Sequence, residues 1–342
     1  HESFEIHGFD IGIDDGSDIR NKVVSSFLKF HSVSSMTDQE VSEYIRQQEI
    51  DILIDLNGHS RWARTEILAC KPASIQINYL GFPGTMGAPS FMDYIIADDL
   101  LIPLDSQNHY SEKVIYLPNS FQANDSERAI GRNRGREAFG LDAERFVFGC
   151  FSHSGKLNPE TFGVWASILK NVPDSVLWLI KENPRQVENL RAFVAGADVD
   201  PDRLVFSDSL PYAEHLSRYQ LVDLVLDTMP FNGGTTTSDA LWGGAPVLTC
   251  IGESFSGRMS ASLLSAINLP ELITHSLSEY EERAIELAMN RESLASIRQK
   301  LANNRLTTSL FDTPRFTKNL EAAYKAVWSR HQSGLAPDHI HL

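Results

Sequence analysis

Four glycine- and hydroxyl-rich runs hold the residues best suited to chemistry in this chain. Phe231-Asn232-Gly233-Gly234-Thr235-Thr236-Thr237-Ser238-Asp239 sets adjacent glycines, which let a ligand approach the backbone, ahead of three threonines that open a helical pattern. Unpaired N–H groups and a positive dipole end make such a helix start an anion site. Asp239, one turn inside, is placed to accept from sugar hydroxyls. A plain helix cap of Thr, Ser and Asp chemistry explains the same run as well. Phe151-Ser152-His153-Ser154-Gly155-Lys156-Leu157-Asn158-Pro159 lies between a strand and a helix with proline in its first turn. Lys156 there suits a phosphate leaving group, although a solvated loop lysine is the commoner reading. Gly252-Glu253-Ser254-Phe255-Ser256-Gly257-Arg258 follows another strand, and Arg258 suits holding the loop together as much as touching a substrate. The fourth run pairs Asn57-Gly58-His59-Ser60 with Gly81-Phe82-Pro83-Gly84-Thr85. His59 is its candidate catalyst, against the commoner surface or packed histidine.

Other chemistries lack their residues. No H-x-x-x-H, E-x-x-H or G-x-S-x-G occurs, and Asp98-Asp99 has no metal-binding context. No glycine fingerprint for a nicotinamide cofactor follows the early strands.

These loops need rigid elements to aim them, and the apolar pattern supplies a strand–helix alternation. In the first part strands are expected at Phe4–Phe9, Ile50–Leu56, Ser74–Leu80, Tyr94–Ala97 and Val114–Leu117. Helices are expected from about Asp18 (Val23, Val24, Phe27 and Leu28 on one face), from Asp38, and over Arg61–Ala69. Gln122–Arg136, rich in Asn, Asp, Ser, Gly and Arg without periodicity, marks a connection. A second series places strands at Phe146–Cys150, Val176–Ile180, Arg203–Phe206, Leu221–Leu226 and Pro246–Thr249. Helices are expected over Pro159–Lys170, Gln186–Val194, Tyr212–Tyr219, Tyr280–Leu301 and Arg315–Trp328. Such alternation predicts βαβ units and parallel sheets, whose ligands sit beyond the carboxyl ends of the strands. The expected organisation is a first Rossmann-like half over 1–125, a linker over 126–140, a second half over 141–312, and a terminal helix and tail over 313–342.

Composition bounds the rest. The 342 residues suit two domains, and 42% hydrophobic with 22% charged residues describes a globular chain. Thirty basic against 45 acidic side chains give a net charge of −15, which disfavours nucleic acid. No apolar stretch approaches the ~18–20 residues of a membrane span, and no signal-peptide pattern opens the chain. Cys70, Cys150 and Cys250 are far apart and are expected to be small buried hydrophobes. The expected setting is reduced and cytoplasmic. His339 and His341 are expected to be solvated tail residues.

Taken together, the runs become specific. Leu226-Asp227-Thr228-Met229-Pro230-Phe231 continuing to Trp242 closely resembles the nucleotide-sugar signature of the O-GlcNAc transferase/SPINDLY-type glycosyltransferases. Arg64–Leu68, Gly81–Thr85 and Met92–Ile96 resemble the first-half motifs, and Phe151–Asn158, Gly252–Arg258 and Pro337-Asp338-His339 follow in the family's order. The resemblance implies an α/β GT-B fold, two Rossmann-like domains facing a cleft. It implies metal-independent, inverting transfer of a sugar, GlcNAc first among the candidates, from a UDP-sugar to Ser or Thr of proteins, with no cofactor. It further implies Lys156 as the essential lysine, Thr235 and Thr236 with Gly233 and Gly234 at the diphosphate, and His153 near the phosphates. Asp239 falls at the ribose, and His215 and Arg218 at the nucleoside.

Gly234 stands in place of a histidine of the animal enzymes and Gly155 in place of an aromatic, so the sugar stays open; Tyr212 stands in place of a lysine near the nucleoside. Fucose from GDP-fucose, or glucose, is the alternative within the family; a non-catalytic nucleotide-sugar-binding module is the alternative outside it. A GT-B epimerase would need acidic and histidine catalysts that no convincing set supplies. The resemblance also implies a first domain that starts after its opening strand and helix. Protein acceptors would be selected by tetratricopeptide repeats that this chain lacks.

Overall fold

The computed structural model describes residues 3–342. The chain forms two compact units. One comprises residues through Ile96, Asn108–Val114 and Tyr324–Ile340; the other comprises Ala97–Gln107, Ile115–Ala323 and His341–Leu342.

In the first unit β1 (His7–Asp10), α1 (Asp18–Ser25), β2 (Lys29–Ser32), α2 (Asp38–Gln47), β3 (Ile52–Asp55), α3 (Thr65–Ala69), β4 (Ile75–Asn78), β5 (Tyr94–Ala97) and β6 (Lys113–Tyr116) follow in order. β1 and β2 pair in parallel, and β3, β4 and β5 form parallel neighbours in a five-stranded sheet. Every residue of β4 and β5 is buried, as expected of strands covered on both faces. Thr37 caps α2 through a capping box with Glu40. Val33, Val41, Ile45 and Ile67 then form a core with Phe9 and Leu53 packed on it.

Two expectations fail in this unit. The helix from Asp18 stops at Ser25 and buries no residue, so Val23 and Leu28 stay exposed and Leu28 leads into a strand, β2. Cys70, at the end of α3, is exposed rather than buried.

The second unit contains β7 (Phe146–Cys150), α4 (Pro159–Asn171), β8 (Ser175–Ile180), α5 (Pro184–Gly196), β9 (Leu204–Ser207), α6 (Tyr212–Arg218), β10 (Leu224–Leu226), α7 (Thr235–Gly243), β11 (Val247–Cys250), α8 (Met259–Ala266) and β12 (Ile273–Thr274). Then come α9 (Leu277–Met289), α10 (Arg291–Asn304), α11 (Thr313–Gln332) and β13 (Ile340–His341), the last pairing at the edge of the five-stranded sheet. The six-stranded sheet runs β12-β11-β10-β7-β8-β9, and its pairs are parallel. Numbered from β7, this is the Rossmann order, and strand order reverses between β7 and β10. The loops after those two strands therefore flank the crevice where such sheets bind ligands.

The single helix expected over Tyr280–Leu301 is two. Asn290 leaves the helical region and its side chain accepts from Ser293 N at 3.0 Å, capping α10. The connection beginning at Gln122 has no regular element before Arg136, yet it is not loose. Gln122 and Asn124 are buried, and Asn124 Oδ1 accepts from the Ser238 hydroxyl of α7 at 2.6 Å. The tail is held as well: Val114 N donates to His339 Nδ1 at 3.1 Å, and the His341 ring stacks on Tyr116 at 4.5 Å.

Candidate functional site at the strand switch point

β7 delivers the chain into a turn whose bonds are mostly local. His153 Nδ1 accepts from Gly155 N at 3.0 Å, and Ser154 N donates to Glu182 Oε1 at 2.6 Å. Asn158 caps α4 by accepting from Thr161 N at 2.9 Å, with Pro159 following. This fixes both sides of Lys156 and turns its side chain toward the loop after β10. Its Nζ donates to the Asn232 carbonyl at 2.8 Å and lies 4.2 Å from the centre of the Phe231 ring. Burial pushes this ammonium below the usual lysine range, while Asp227 pulls the other way. A partly desolvated cation thus sits at the switch point.

The loop after β10 is shaped by a carboxylate to which the motif pattern assigns no role. Asp227 is buried and accepts from Thr228 N (2.9 Å), Gly233 N (2.8 Å) and the Thr249 hydroxyl (2.6 Å). Burial raises its pKa, opposed by hydrogen bonds from Ser260, Thr249 and Gly233 N and by the charge of Lys156. Gly233 is required by contact: a Cβ there would lie 2.4 Å from Thr237 Oγ1 and 2.6 Å from Thr236 Oγ1. Gly234 occupies the cap position of α7 and offers no side chain to bond. The first N–H groups of α7, at Thr235 and Thr236, are therefore left to whatever approaches. Asn232 is fully buried; its Nδ2 donates to the Thr228 carbonyl at 2.9 Å, whereas its Oδ1 has no partner.

One helix away, His215 and Arg218 form a buried pair on α6. His215 Nδ1 accepts from Arg218 Nε at 3.0 Å, which leaves the guanidinium no carboxylate in this contact. Arg218 also donates to Ser207 Oγ at 3.0 Å and lies over the Phe151 ring at 4.5 Å. Burial, with Arg218 nearby, drops His215 to about 4, and burial drops Arg218 to about 10. At neutral pH the ring is neutral and the arginine is charged. Asp239 lies inside α7, with Oδ1 accepting from Arg128 Nη1 at 2.7 Å and from the Tyr212 hydroxyl at 2.8 Å.

The structure thus brings Lys156, Gly233, Gly234, Thr235 and Thr236 onto two neighbouring loops, with His215 and Arg218 packed through Phe151. His153 is exposed at the same turn. Arg258 holds its loop, donating to the carbonyls of Leu100 and Gly252. Asp98 accepts from the backbone of Leu101 and Phe121 and serves the core; burial raises it to about 6. Among the described residues no three His, Cys, Asp or Glu side chains converge as a metal site.

His59 belongs to the first unit. It follows Asp55, which accepts from Asn57 N and Gly58 N and so closes the turn after β3. A Cβ on Gly58 would lie 2.3 Å from Phe82 Cβ, and one on Gly81 would lie 1.7 Å from the Leu56 carbonyl oxygen. The two loops are thereby locked against each other. His59 is exposed, and its Nε2 meets the Met86 carbonyl at 3.0 Å. A carbonyl only accepts, so Nε2 is the donor in this contact, and Nδ1 takes no part in it.

The sequence profile of glycosyl transferase family 41 matches residues 1–134 and 129–320. The chain belongs to that family. It is 38% identical over 346 residues to a probable UDP-N-acetylglucosamine–peptide N-acetylglucosaminyltransferase (SEC) of Arabidopsis thaliana, covering 99% of this chain and 35% of the relative. The corresponding enzyme of Caenorhabditis elegans is 28% identical over 449 residues, covering 98% of this chain and 39% of that protein. This chain therefore spans little more than a third of these relatives' length. Among solved structures, an O-GlcNAc transferase variant from Thermobaculum terrenum superposes with a TM-score of 0.88 at 30% identity, over 95% of this chain and 61% of that one. A glycosyltransferase from Rickettsia africae shares the fold alone, at a TM-score of 0.58 and 11% identity. The α/β architecture is that of the GT-B glycosyltransferases.

Proposed function

We propose that this chain is the catalytic region of a protein O-glycosyltransferase that moves GlcNAc from UDP-GlcNAc to Ser or Thr with inversion and without a metal. The observation that carries the reading is the juxtaposition at the switch point. Lys156, a partly desolvated ammonium, bonds the Asn232 carbonyl three residues before α7 begins without a capping side chain. Both features favour negative charge, although Asp227 holds Gly233 N and partly offsets the lysine.

In the reaction the acceptor hydroxyl oxygen bonds to the anomeric carbon as the bond to the β-phosphate oxygen breaks, and the electron pair leaves with the diphosphate. Charge grows there, so groups held in place beforehand lower the barrier. Lys156 and the N–H and hydroxyl groups of Thr235 and Thr236 take that part, and Gly233 and Gly234 clear the approach. His153 takes the outer side of the phosphates, Asp239 the ribose, and His215 with Arg218 the nucleoside. His59, in the first unit, is the candidate to accept the proton of the acceptor hydroxyl. The acceptors are proteins, and the relatives' names support GlcNAc as the sugar.

The test is incorporation of radiolabelled GlcNAc from UDP-GlcNAc into a Ser/Thr-rich peptide library, with GDP-fucose and UDP-glucose in parallel. Incorporation from UDP-GlcNAc that Lys156→Ala abolishes supports the reading. Incorporation from GDP-fucose alone reassigns the sugar. Nucleotide binding without transfer from any donor reduces the chain to a binding module.

A further inference from the structure

We infer that Arg128, in the segment connecting the two sheets, is a positioning residue for ribose recognition, acting with Tyr212 through Asp239. The inference rests on the proposed nucleotide-sugar site and adds Arg128 to it.

Arg128 is deeply held for a residue of an irregular segment. Its guanidinium lies 5.3 Å from the ring centres of both Trp242 and Phe311, and its carbonyl accepts from Trp242 Nε1 at 3.0 Å. Its Nη1 reaches Asp239 Oδ1 at 2.7 Å, with side-chain exposures of 8% and 5%, and its Nη2 reaches the Ser238 hydroxyl at 3.1 Å. That hydroxyl in turn donates to Asn124 Oδ1. Such burial is costly for two charges unless geometry and further hydrogen bonds compensate, and here they do.

The second holder comes from the other side. The Tyr212 hydroxyl, at the start of α6, donates to the same Oδ1 at 2.8 Å. Two donors from two elements converge on one oxygen of one carboxylate. The side chain is thereby fixed in rotation, and since both bonds use Oδ1, Oδ2 is the oxygen we assign to an incoming donor. A ribose offers vicinal hydroxyls, which are donors for a carboxylate acceptor. Tyr212 stands one turn before His215 on α6, so the same contact ties the carboxylate to the helix proposed for the nucleoside. The geometry makes Asp239 a preset acceptor rather than a free side chain, and Arg128 its anchor.

The experiment is calorimetric binding of UDP and of 2′-deoxy- and 3′-deoxy-UDP to the full chain and to Arg128→Gln, Arg128→Lys and Tyr212→Phe, each checked for folding by thermal melting. A hydroxyl bonded to a held carboxylate is worth about 10- to 100-fold in affinity. The chain is expected to prefer UDP over at least one deoxy analogue by that factor. Arg128→Gln should shrink the preference to about threefold or less while the deoxy analogue binds much as before. Arg128→Lys should restore part of it, and Tyr212→Phe, at a half-exposed position that folds readily, should lower it severalfold.

A merely structural role would weaken all three nucleotides equally and leave the preference intact in every folded variant; that result overturns the inference. Should the unaltered chain bind none of the nucleotides, the proposed nucleotide site fails instead.

Discussion

The turns after β7 and β10 in the second unit and after β3 and β4 in the first use glycine alike and polar groups differently. In both, a missing Cβ permits close approach: Gly233 against Thr236 and Thr237, Gly81 against the Leu56 carbonyl. In the first unit the approach is backbone against backbone, and Asp55 satisfies the turn it sits in. In the second, the contact at Gly233 is with hydroxyls, Gly234 leaves α7 uncapped, and a lysine is partly desolvated beside it. A closed turn stabilises the fold. An open helix end beside a cation costs stability and suits a ligand.

The largest test of this contrast is Lys156→Ala. Transfer is expected to fall about 10³-fold, with UDP affinity changing only severalfold, because the charge counts most as the bond breaks. Steady-state transfer and calorimetry separate the two. Next, Gly81→Ala drives a methyl group into a carbonyl and is expected to cost about 3 kcal/mol of stability in denaturant unfolding. Gly233→Ala presses on the Thr236 and Thr237 hydroxyls and comes within 3.1 Å of Thr237 N. It is expected to cost about 1–2 kcal/mol of stability and to weaken UDP binding about tenfold. His59→Ala, in the first unit, is expected to lower transfer about 10²-fold and leave UDP affinity untouched.

The smallest effect is a pH dependence. His215 titrates near 4 in the folded chain against 6.5 ordinarily, so between those values the unfolded chain takes up a proton that the folded one refuses. Its contribution is full above pH 6.5 and is lost as pH falls toward 4. The difference from His215→Gln across that window should be about 1–2 kcal/mol once solvent screening is allowed for.

Much of the second unit was legible because its signals are local. Phe146–Cys150 is a continuous apolar run, and Asn158-Pro159 announces α4. The residues bearing the family resemblance lie in loops where backbone demands fix side-chain types. What was missed depends on contacts distant in sequence or on competing local signals. Nothing local marks Arg128, whose salt bridge to Asp239 spans 111 positions. Asp227 directly follows an apolar strand, and its role in organising the Gly233 turn depends on contacts that the local pattern does not encode. Phe27 and Leu28 fit a helical face, yet the chain turns at Ser26 and Lys29–Ser32 pairs with β1. At Asn290 one capping side chain divides a pattern that stays periodic on both sides. The exposed Cys70 shows that neighbouring apolar residues do not settle burial at a helix end.

The central claim is that a nucleoside diphosphate binds at the uncapped start of α7 beside Lys156. Amide NMR during a UDP titration tests it most directly. The account predicts that the Gly234, Thr235 and Thr236 N–H resonances move first and furthest, and that Lys156→Ala reduces those shifts without moving them elsewhere. Saturable UDP binding that leaves these three amides unmoved would contradict it.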